Sequence, residues 1–148
     1  MKYQTSSFGD IPFYKIGTFG KKADAHINNK LYKYYKEKYP FPKKGEILIS
    51  ASGTIGRTVI YDGSPAYFQD SNIIWIENNE KIVKNNFLFY YYKIIKWTTE
   101  DTTIARLYND NLKKILIPVP STPEQSAIAQ VLTDTDALLE SLDGLIIK

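Results

Sequence analysis

Short apolar runs in the middle of the chain predict β-strands. Residues 46–50 (EILIS), 57–61 (RTVIY) and 72–76 (NIIWI) are each five residues long and rich in β-branched or aromatic side chains. Runs of this length, bounded by turn-forming residues, are typical of buried strands rather than helices. Residues 112–119 (LKKILIPV) predict one further strand, which its prolines end because proline cannot donate to a sheet.

Apolar residues at spacings of three and four predict a helix in the second half of the chain. This helix begins with Asn85 or Asn86 as its N-cap and ends near Trp97. The polar stretch 98–103 (TTEDTT) then predicts a loop. The segment 21–39 is basic and interleaved with tyrosine, and its pattern fits either a helix or an irregular loop.

The C-terminal segment carries the clearest helix signal. Thr122 is a suitable N-cap, Pro123 suits the first helical position, and Gln125 completes a capping box. The apolar residues that follow form a heptad seam and a neighbouring stripe: Ile128, Val131, Thr135, Leu138, Leu142 and Leu145 on the seam, with Leu132, Leu139 and Ile146 beside it. This face either packs on the domain's own sheet or forms a coiled-coil arm that meets another helix.

Composition narrows the class of protein. The 148 residues are 43% hydrophobic and 24% charged, which fits one domain with a core. The chain has no cysteine and one histidine, His26, which excludes disulfides, Cys-ligated or multi-histidine metal sites and a Cys/His nucleophilic pair. No run approaches the roughly 18 to 20 apolar residues of a membrane helix, and the first residues lack the apolar core of a signal peptide. We therefore expect a soluble, cytoplasmic protein.

Charge is distributed unevenly along the chain. Residues 1–45 hold ten Lys and three acidic groups, a net charge of +7, whereas residues 119–148 hold one Lys and five acidic groups, a net charge of −4. A lysine-rich region is typical of a protein that binds a polyanion. The alternative is that these lysines only keep the surface solvated.

The loop between the first two predicted strands contains two glycines, Gly53 and Gly56, but it matches no phosphate-binding motif. No Lys-Ser/Thr pair follows the second glycine, and no helix follows the loop. No Asp or Glu lies two residues before a Lys, the spacing common in metal-dependent nucleases. The sequence therefore predicts a non-catalytic protein that needs no cofactor of its own.

Several motifs in order resemble the target recognition domain of a type I restriction-modification specificity subunit. They are Ile11–Tyr14 (IPFY), Gly45–Ser50 (GEILIS), Ser52–Gly56 (SGTIG), Leu112–Pro120 (LKKILIPVP) and Pro123–Gln125 (PEQ) at the start of a helix. The resemblance covers nearly the whole chain. It implies an α+β fold, in which one target-recognition domain with a mixed sheet and flanking helices occupies residues 1–121. It also implies that residues 122–148 begin the conserved spacer helix.

The same resemblance implies a function. Such a domain reads a sequence in double-stranded DNA and directs a partner adenine methyltransferase subunit, which uses S-adenosylmethionine, and in some assemblies a restriction subunit. A full specificity subunit carries two recognition domains and two spacer helices, so this chain resembles a half or a fragment. Two copies paired through the C-terminal helix would restore the full arrangement. The competing interpretation is an assembly module that acts through this helix and does not bind DNA.

Position and side-chain chemistry, rather than the family's known contacts, select the candidate DNA-binding residues. Lysines attract phosphates, while amide, hydroxyl, imidazole and guanidinium groups suit base edges. The phosphate candidates are Lys21, Lys22, Lys30, Lys43 and Lys44, and the base or groove candidates are His26, Asn28, Asn29, Ser52, Thr54, Arg57, Gln69, Asn72 and Arg106. The candidate partner interface comprises Ile128, Val131, Leu132, Leu138, Leu139, Leu142, Leu145 and Ile146.

Overall fold

The N-terminal strands form a small mixed sheet in the computed structural model, which describes residues 4–68, 71–97 and 106–146. Strand β1 (Ile11–Tyr14) is the central strand of this sheet. It pairs antiparallel with β2 (Ala25–Ile27) on one side and parallel with β5 (Tyr67–Phe68) on the other. The IPFY motif is therefore a strand, and the expected mixed sheet is present.

A second, antiparallel sheet contains the three strands that the apolar runs predict. Strand β3 (Ile47–Ser50) lies between β4 (Thr58–Ile60) and β6 (Ile73–Trp75). All four residues of β3 are buried, because side chains alternate between two covered faces. These strand predictions are confirmed, although the strands of the domain divide into two sheets rather than one.

Four helices complete the part of the chain that is described. They are α1 (Asn29–Lys38), α2 (Asn85–Ile94), α3 (Asn109–Lys113) and α4 (Thr122–Ile146). The ambiguous segment 21–39 thus contains β2 and α1. The loop predicted at residues 98–103 lies outside the described residues.

Buried side chains form three clusters across the described ranges. The first packs α1 through Tyr32 onto the mixed sheet. The second contains Phe68 from the mixed sheet and Leu48 from the antiparallel sheet, so it joins the two sheets. The third packs Ile49, on the opposite face of β3, against Leu88 of α2. Strand β3 therefore lies at the centre of the molecule.

The predicted start of α2 is wrong by one residue. Lys84, rather than Asn85 or Asn86, occupies the N-cap position, and its backbone is extended. The backbone N–H of Asn85 donates to the Glu80 carboxylate over 2.9 Å, so a side chain from the preceding turn satisfies this end of the helix. The helix ends at Ile94, earlier than predicted.

The strand predicted at residues 112–119 is wrong. Helix α3 extends to Lys113, and the described residues between it and α4 form no strand. The Tyr108 backbone N–H donates to the Asn111 side chain over 3.0 Å, an interaction that favours a helix start. Leu116 is 89% exposed, which shows that this apolar run is not a buried strand. Pro118 and Pro120 also lack the N–H group that a strand donates to its neighbour.

The cap of α4 is also shifted by one residue from the prediction. The carbonyl of Ser121, rather than Thr122, accepts the first helical hydrogen bond, from the Gln125 N–H at 2.9 Å. The Ser121 N–H donates to the Glu124 carboxylate over 2.9 Å, which is half of a capping box. Hydrogen bonds from the Ser121 side chain and backbone lower the pKa of Glu124. Pro123 then lies at the second helical position.

Candidate nucleic-acid interface

The loop that follows β3 folds around the side chain of Ser50, the last residue of that strand. The hydroxyl of Ser50 donates to the carbonyl of Thr54 over 2.5 Å and accepts from the Arg57 backbone N–H over 2.8 Å. Gly53 and Gly56 have φ angles of 65° and 83°, which glycine adopts at little cost. The serine, the two glycines and their spacing therefore determine one compact loop.

Three predicted base-contact residues meet beside this loop. The hydroxyl of Ser52 donates to the side-chain oxygen of Asn72 over 2.8 Å. Ser52 also pairs as an isolated antiparallel bridge with Arg106, whose guanidinium donates to the carbonyl of Ser71. Three distant segments of the chain therefore converge, and we call residues 50–57, 71–72 and 106 the loop cluster.

Arg57 connects the loop cluster to the turn after β1. Its Nη1 donates to the backbone carbonyl of Phe19 over 2.9 Å, and Phe19 is buried. The exposed residues Lys21 and Lys22 follow in the same turn. Two candidate phosphate contacts, Lys21 and Lys22, therefore lie on the turn that contacts Arg57, one member of the loop cluster.

A second group of candidates lies at the N-terminus of α1. His26 is half-buried in β2, and its Nδ1 donates to the carbonyl of Ser7 over 3.1 Å. The side-chain oxygen of Asn28 caps α1 by accepting from the Leu31 N–H over 2.8 Å. These two side chains thus already have structural hydrogen bonds. The remaining candidates of this group, Asn29 and Lys30, are exposed in the first turn of the helix.

Lys43 and Lys44 lie at the opposite end of β3 from the loop cluster. Strand β3 alone spans about 13 Å. Lys43 forms an exposed ion pair with Glu77, and this pairing raises the pKa of Lys43. The structure therefore places these two lysines away from the loop cluster, whereas Arg57 of that cluster holds the turn with Lys21 and Lys22, although the sequence grouped all four as phosphate contacts.

Two candidates cannot be placed, and sequence reasoning missed two others. Gln69 and the side chain of Ile146 lie outside what the structure describes. Trp97, predicted only as a helix end, packs against the loop cluster. Gln125, predicted only as a capping residue, is fully buried and holds α4 to the domain. Its position in the PEQ motif was the available signal.

Helix α4 presents the predicted interface to solvent. Near its start, Ala129 is buried, and Thr133 and Asp136 bond to Tyr90 and Lys93 of α2. The apolar side chains of the predicted interface are between 38% and 67% exposed: Ile128, Val131, Leu132, Leu138, Leu139, Leu142 and Leu145. The domain's own sheet therefore does not cover these side chains.

Two chemical properties of the described residues bear on the site. No group of three or more His, Asp or Glu side chains lies close enough there to hold a metal ion. Within the same ranges, no helix combines the length and the apolar character that crossing a membrane requires.

A comparison with known families identifies the chain. A family model described as the type I restriction modification DNA specificity domain matches residues 2–148. This chain belongs to that family. The resemblance carried by the IPFY, SGTIG and PEQ motifs is therefore confirmed.

Relatives of this specificity-domain chain are named as type I specificity subunits. A protein of Haemophilus influenzae, named as a type I restriction enzyme specificity subunit, is 60% identical over 147 residues, covering 98% of this chain and 38% of the relative. Two proteins of Methanocaldococcus jannaschii, named as MjaX and MjaVIII specificity subunits, are 27% and 25% identical, covering 67% and 87% of this chain and 26% and 36% of the relatives. The chain thus spans less than two-fifths of these relatives.

Solved structures of type I systems share the fold of the specificity domain. The S subunit of a type I system from M. genitalium matches 99% of this chain and 37% of its own, with a TM-score of 0.66 at 22% identity. A chain from a structure of a type I R-M system matches 96% of this chain and 35% of its own, with a TM-score of 0.70 at 16% identity. The predicted α+β fold is confirmed.

Proposed function

We propose that this chain is a DNA-reading unit of a type I specificity subunit. In this proposal residues 1–121 form the recognition domain and residues 122–148 begin the spacer helix. One observation carries the proposal: in a member of a DNA specificity family, the loop cluster gathers serine, asparagine and arginine side chains from three distant segments. Asn and Arg are the side chains best suited to hydrogen bond with base edges in the major groove.

Lysines beside the loop cluster supply the sequence-independent part of binding. Lys21 and Lys22 are exposed on the turn that Arg57 holds against the loop. Phosphate contacts orient a protein on the duplex, while base contacts select the sequence. Lys43 and Lys44 are left out of the proposed surface, because they lie at the other end of β3 and Lys43 is already paired.

The chain has no catalytic role in this proposal. It directs a partner adenine methyltransferase, and in some assemblies a restriction subunit, to the sequence that it reads in the cytoplasm. Incubation of the chain alone with duplex DNA and S-adenosylmethionine, or with a nucleoside triphosphate, is expected to give no methylation, cleavage or hydrolysis. Activity of the purified chain in any of these assays would contradict the assignment.

A selection experiment tests the DNA-reading role. The chain, alone and with a methyltransferase partner, is incubated with a pool of random-sequence duplexes, and bound duplexes are amplified and sequenced. Enrichment of one sequence pattern is expected. If neither sample enriches any pattern, the chain does not read DNA and the assembly role remains.

Salt dependence then identifies the phosphate-binding face. Replacing Lys21 and Lys22 by Ala is expected to flatten the slope of log affinity against log salt by about 1.8, or about 0.9 for each lost contact. The double replacement of Lys43 and Lys44 by Ala changes the net charge equally and should leave the slope unchanged. The reverse result would move the DNA to the other end of β3.

Assembly through α4 is the second part of the proposal. Leucines on three successive turns of α4 are about half exposed or more: Leu138, Leu139, Leu142 and Leu145. A continuous exposed apolar stripe marks an interface. A second copy of the chain or the methyltransferase would cover it, and this observation is also the one that favours the assembly module as an alternative function.

A further inference from the structure

The indole ring of Trp97 lies directly on the backbone of Gly56. Gly56 belongs to the loop cluster, and its N–H donates to the carbonyl of Ser50 over 3.0 Å. A Cβ atom built at Gly56 would overlap the Trp97 ring at Nε1 and Cδ1. Glycine is therefore required at residue 56 for two reasons, its positive φ angle and the close approach of the ring.

The Trp97 ring also packs on the protein core. The ring centroids of Tyr92 and Trp97 are 5.5 Å apart, and Tyr92 is only 4% exposed. Ile55, the loop residue before Gly56, packs on the same buried cluster as Trp97. The loop backbone therefore contacts Trp97, which packs on Tyr92, in addition to forming its own hydrogen bonds.

We propose that Trp97 is a positioning residue for sequence readout. Its ring fixes the backbone at Gly56, and this determines where the neighbouring side chains of Thr54 and Arg57 lie. The inference rests on the proposed function, because it requires that the loop cluster reads DNA. Trp97 itself touches no base in this proposal.

The proposal predicts a specific kind of loss. Base discrimination depends on donors and acceptors at fixed positions, whereas attraction to phosphates tolerates displacement of the loop. Loss of the Trp97 ring should therefore reduce the preference for one sequence without weakening binding to DNA in general. A residue with a merely structural role would instead lower stability and both kinds of binding together.

The experiment compares two duplexes of equal length and composition. One carries the pattern enriched by the wild-type chain from a random pool, and the other carries the same bases in shuffled order. Trp97→Ala is expected to reduce the ratio of the two affinities about tenfold, the scale of one lost base contact. Affinity for the shuffled duplex and its salt slope should stay within about twofold of wild type. Trp97→Phe keeps a ring and should retain most of the ratio.

Trp75 provides a matched control. It is also a partly buried tryptophan in a core cluster, but it pairs with Leu48, towards the end of β3 that is remote from the loop cluster. Trp75→Ala should lower the melting temperature and leave the affinity ratio unchanged. An unchanged ratio in Trp97→Ala, or equal losses of ratio in both variants, overturns the proposal.

A second measurement does not depend on the stability of Trp97→Ala. The chain has two tryptophans, so Trp75→Phe leaves Trp97 as the single tryptophan, which excitation at the red edge of indole absorption selects over the tyrosines. The selected duplex should change the emission and acrylamide quenching of Trp97 more than the shuffled duplex does, because it engages the loop that the ring supports. Identical responses to both duplexes contradict the inference. If the wild-type chain prefers no sequence at all, the proposed function has failed before any Trp97 variant is made, and the inference fails with it.

Discussion

The two halves of α4 share one heptad pattern but lie in different surroundings. In the first half, Gln125 and Ala129 are buried and Thr133 bonds to α2, so this half is attached to the domain even though Ile128 and Val131 are exposed. In the second half, Leu138 and Leu142 are exposed. The comparison teaches that a periodic apolar pattern predicts a helix and an apolar face, but not what covers that face.

Gln125 explains why the first half belongs to the domain. Its side-chain amide donates to the carbonyls of Ile82 and Pro120, each over 2.9 Å, and its side-chain oxygen accepts from the Lys84 N–H over 2.8 Å. These three hydrogen bonds thus join the backbone just before α2 to the backbone just before α4. Such a satisfied buried polar group fixes one position of the helix on the domain.

The largest difference is expected when one substitution is made in the domain core, to which the first half of α4 is attached, and in the exposed second half of α4. Leu48→Ala, at a fully buried position, should lower the free energy of unfolding by about 3 kcal/mol. Leu142→Ala should change it by less than about 0.5 kcal/mol, because the side chain is 47% exposed and alanine favours a helix. Urea unfolding at low protein concentration measures both. Equal losses would mean that the end of α4 folds as part of the core.

A smaller loss of unfolding free energy is expected when the first half of α4 loses its hydrogen bonds to the domain. Gln125→Ala leaves three backbone groups without the hydrogen bonds of a buried amide, which should cost about 2 kcal/mol. Gln130→Ala is the matched control, since Gln130 is exposed and donates to Asp134 on the same helix. It should cost less than about 0.5 kcal/mol. If both variants unfold at the same urea concentration, Gln125 does not hold the helix.

The elements that the sequence predicted best are those determined by local pattern. The strands at residues 46–50, 57–61 and 72–76 and the long helix α4 follow from short-range periodicity and turn residues. The strand predicted at residues 112–119 failed, because its first residues complete helix α3 and its prolines cannot donate to a sheet. A short apolar run fits the end of a helix as well as a strand, so local pattern alone could not decide between them.

The candidate site could be predicted only in part, for the same reason. The fold brings together Ser52, Asn72 and Arg106, three of the residues that side-chain chemistry selects as candidate base contacts. Side-chain chemistry could not show that the turn with Lys21 contacts Arg57 while Lys43 lies at the other end of β3 from the loop cluster, because both placements depend on contacts between distant segments. Trp97 escaped notice because its partner, Gly56, lies 41 positions earlier in the chain.

A still smaller effect is expected at the last contact between α4 and α2. Lys93 and Asp136 form an ion pair of 3.2 Å in which both side chains are over 40% exposed. Exposed pairs contribute little, so Asp136→Ala should lower the free energy of unfolding by less than about 0.5 kcal/mol, and 1 M salt should remove the difference. Asp134→Ala, one of the neighbouring acids on α4, controls for the change in charge. A loss of about 2 kcal/mol would show that the ion pair, rather than Gln125, is the anchor.

The smallest effect on folding is expected where the effect on assembly is greatest. Leu138→Asp combined with Leu142→Asp changes two exposed side chains of the second half, so the free energy of unfolding of the dilute chain should change by less than about 0.5 kcal/mol. The same change places two charges on the apolar stripe, where burial of an unpaired carboxylate is strongly unfavourable. A complex that covers the stripe should therefore be lost.

Sedimentation at several concentrations measures this outcome. The wild-type chain is expected to associate as the concentration rises, while the double Asp variant stays monomeric with unchanged circular dichroism. An antiparallel pair of helices would favour such a dimer, because it places the Lys148 end of one copy near the Glu124 end of the other. Glu140→Lys, an exposed change of charge on the same helix, controls for electrostatic repulsion. A wild-type chain that stays monomeric at high concentration and gains no mass with a methyltransferase partner would show that the exposed half of α4 is not an interface, and the contrast between its two halves would then have no role in assembly.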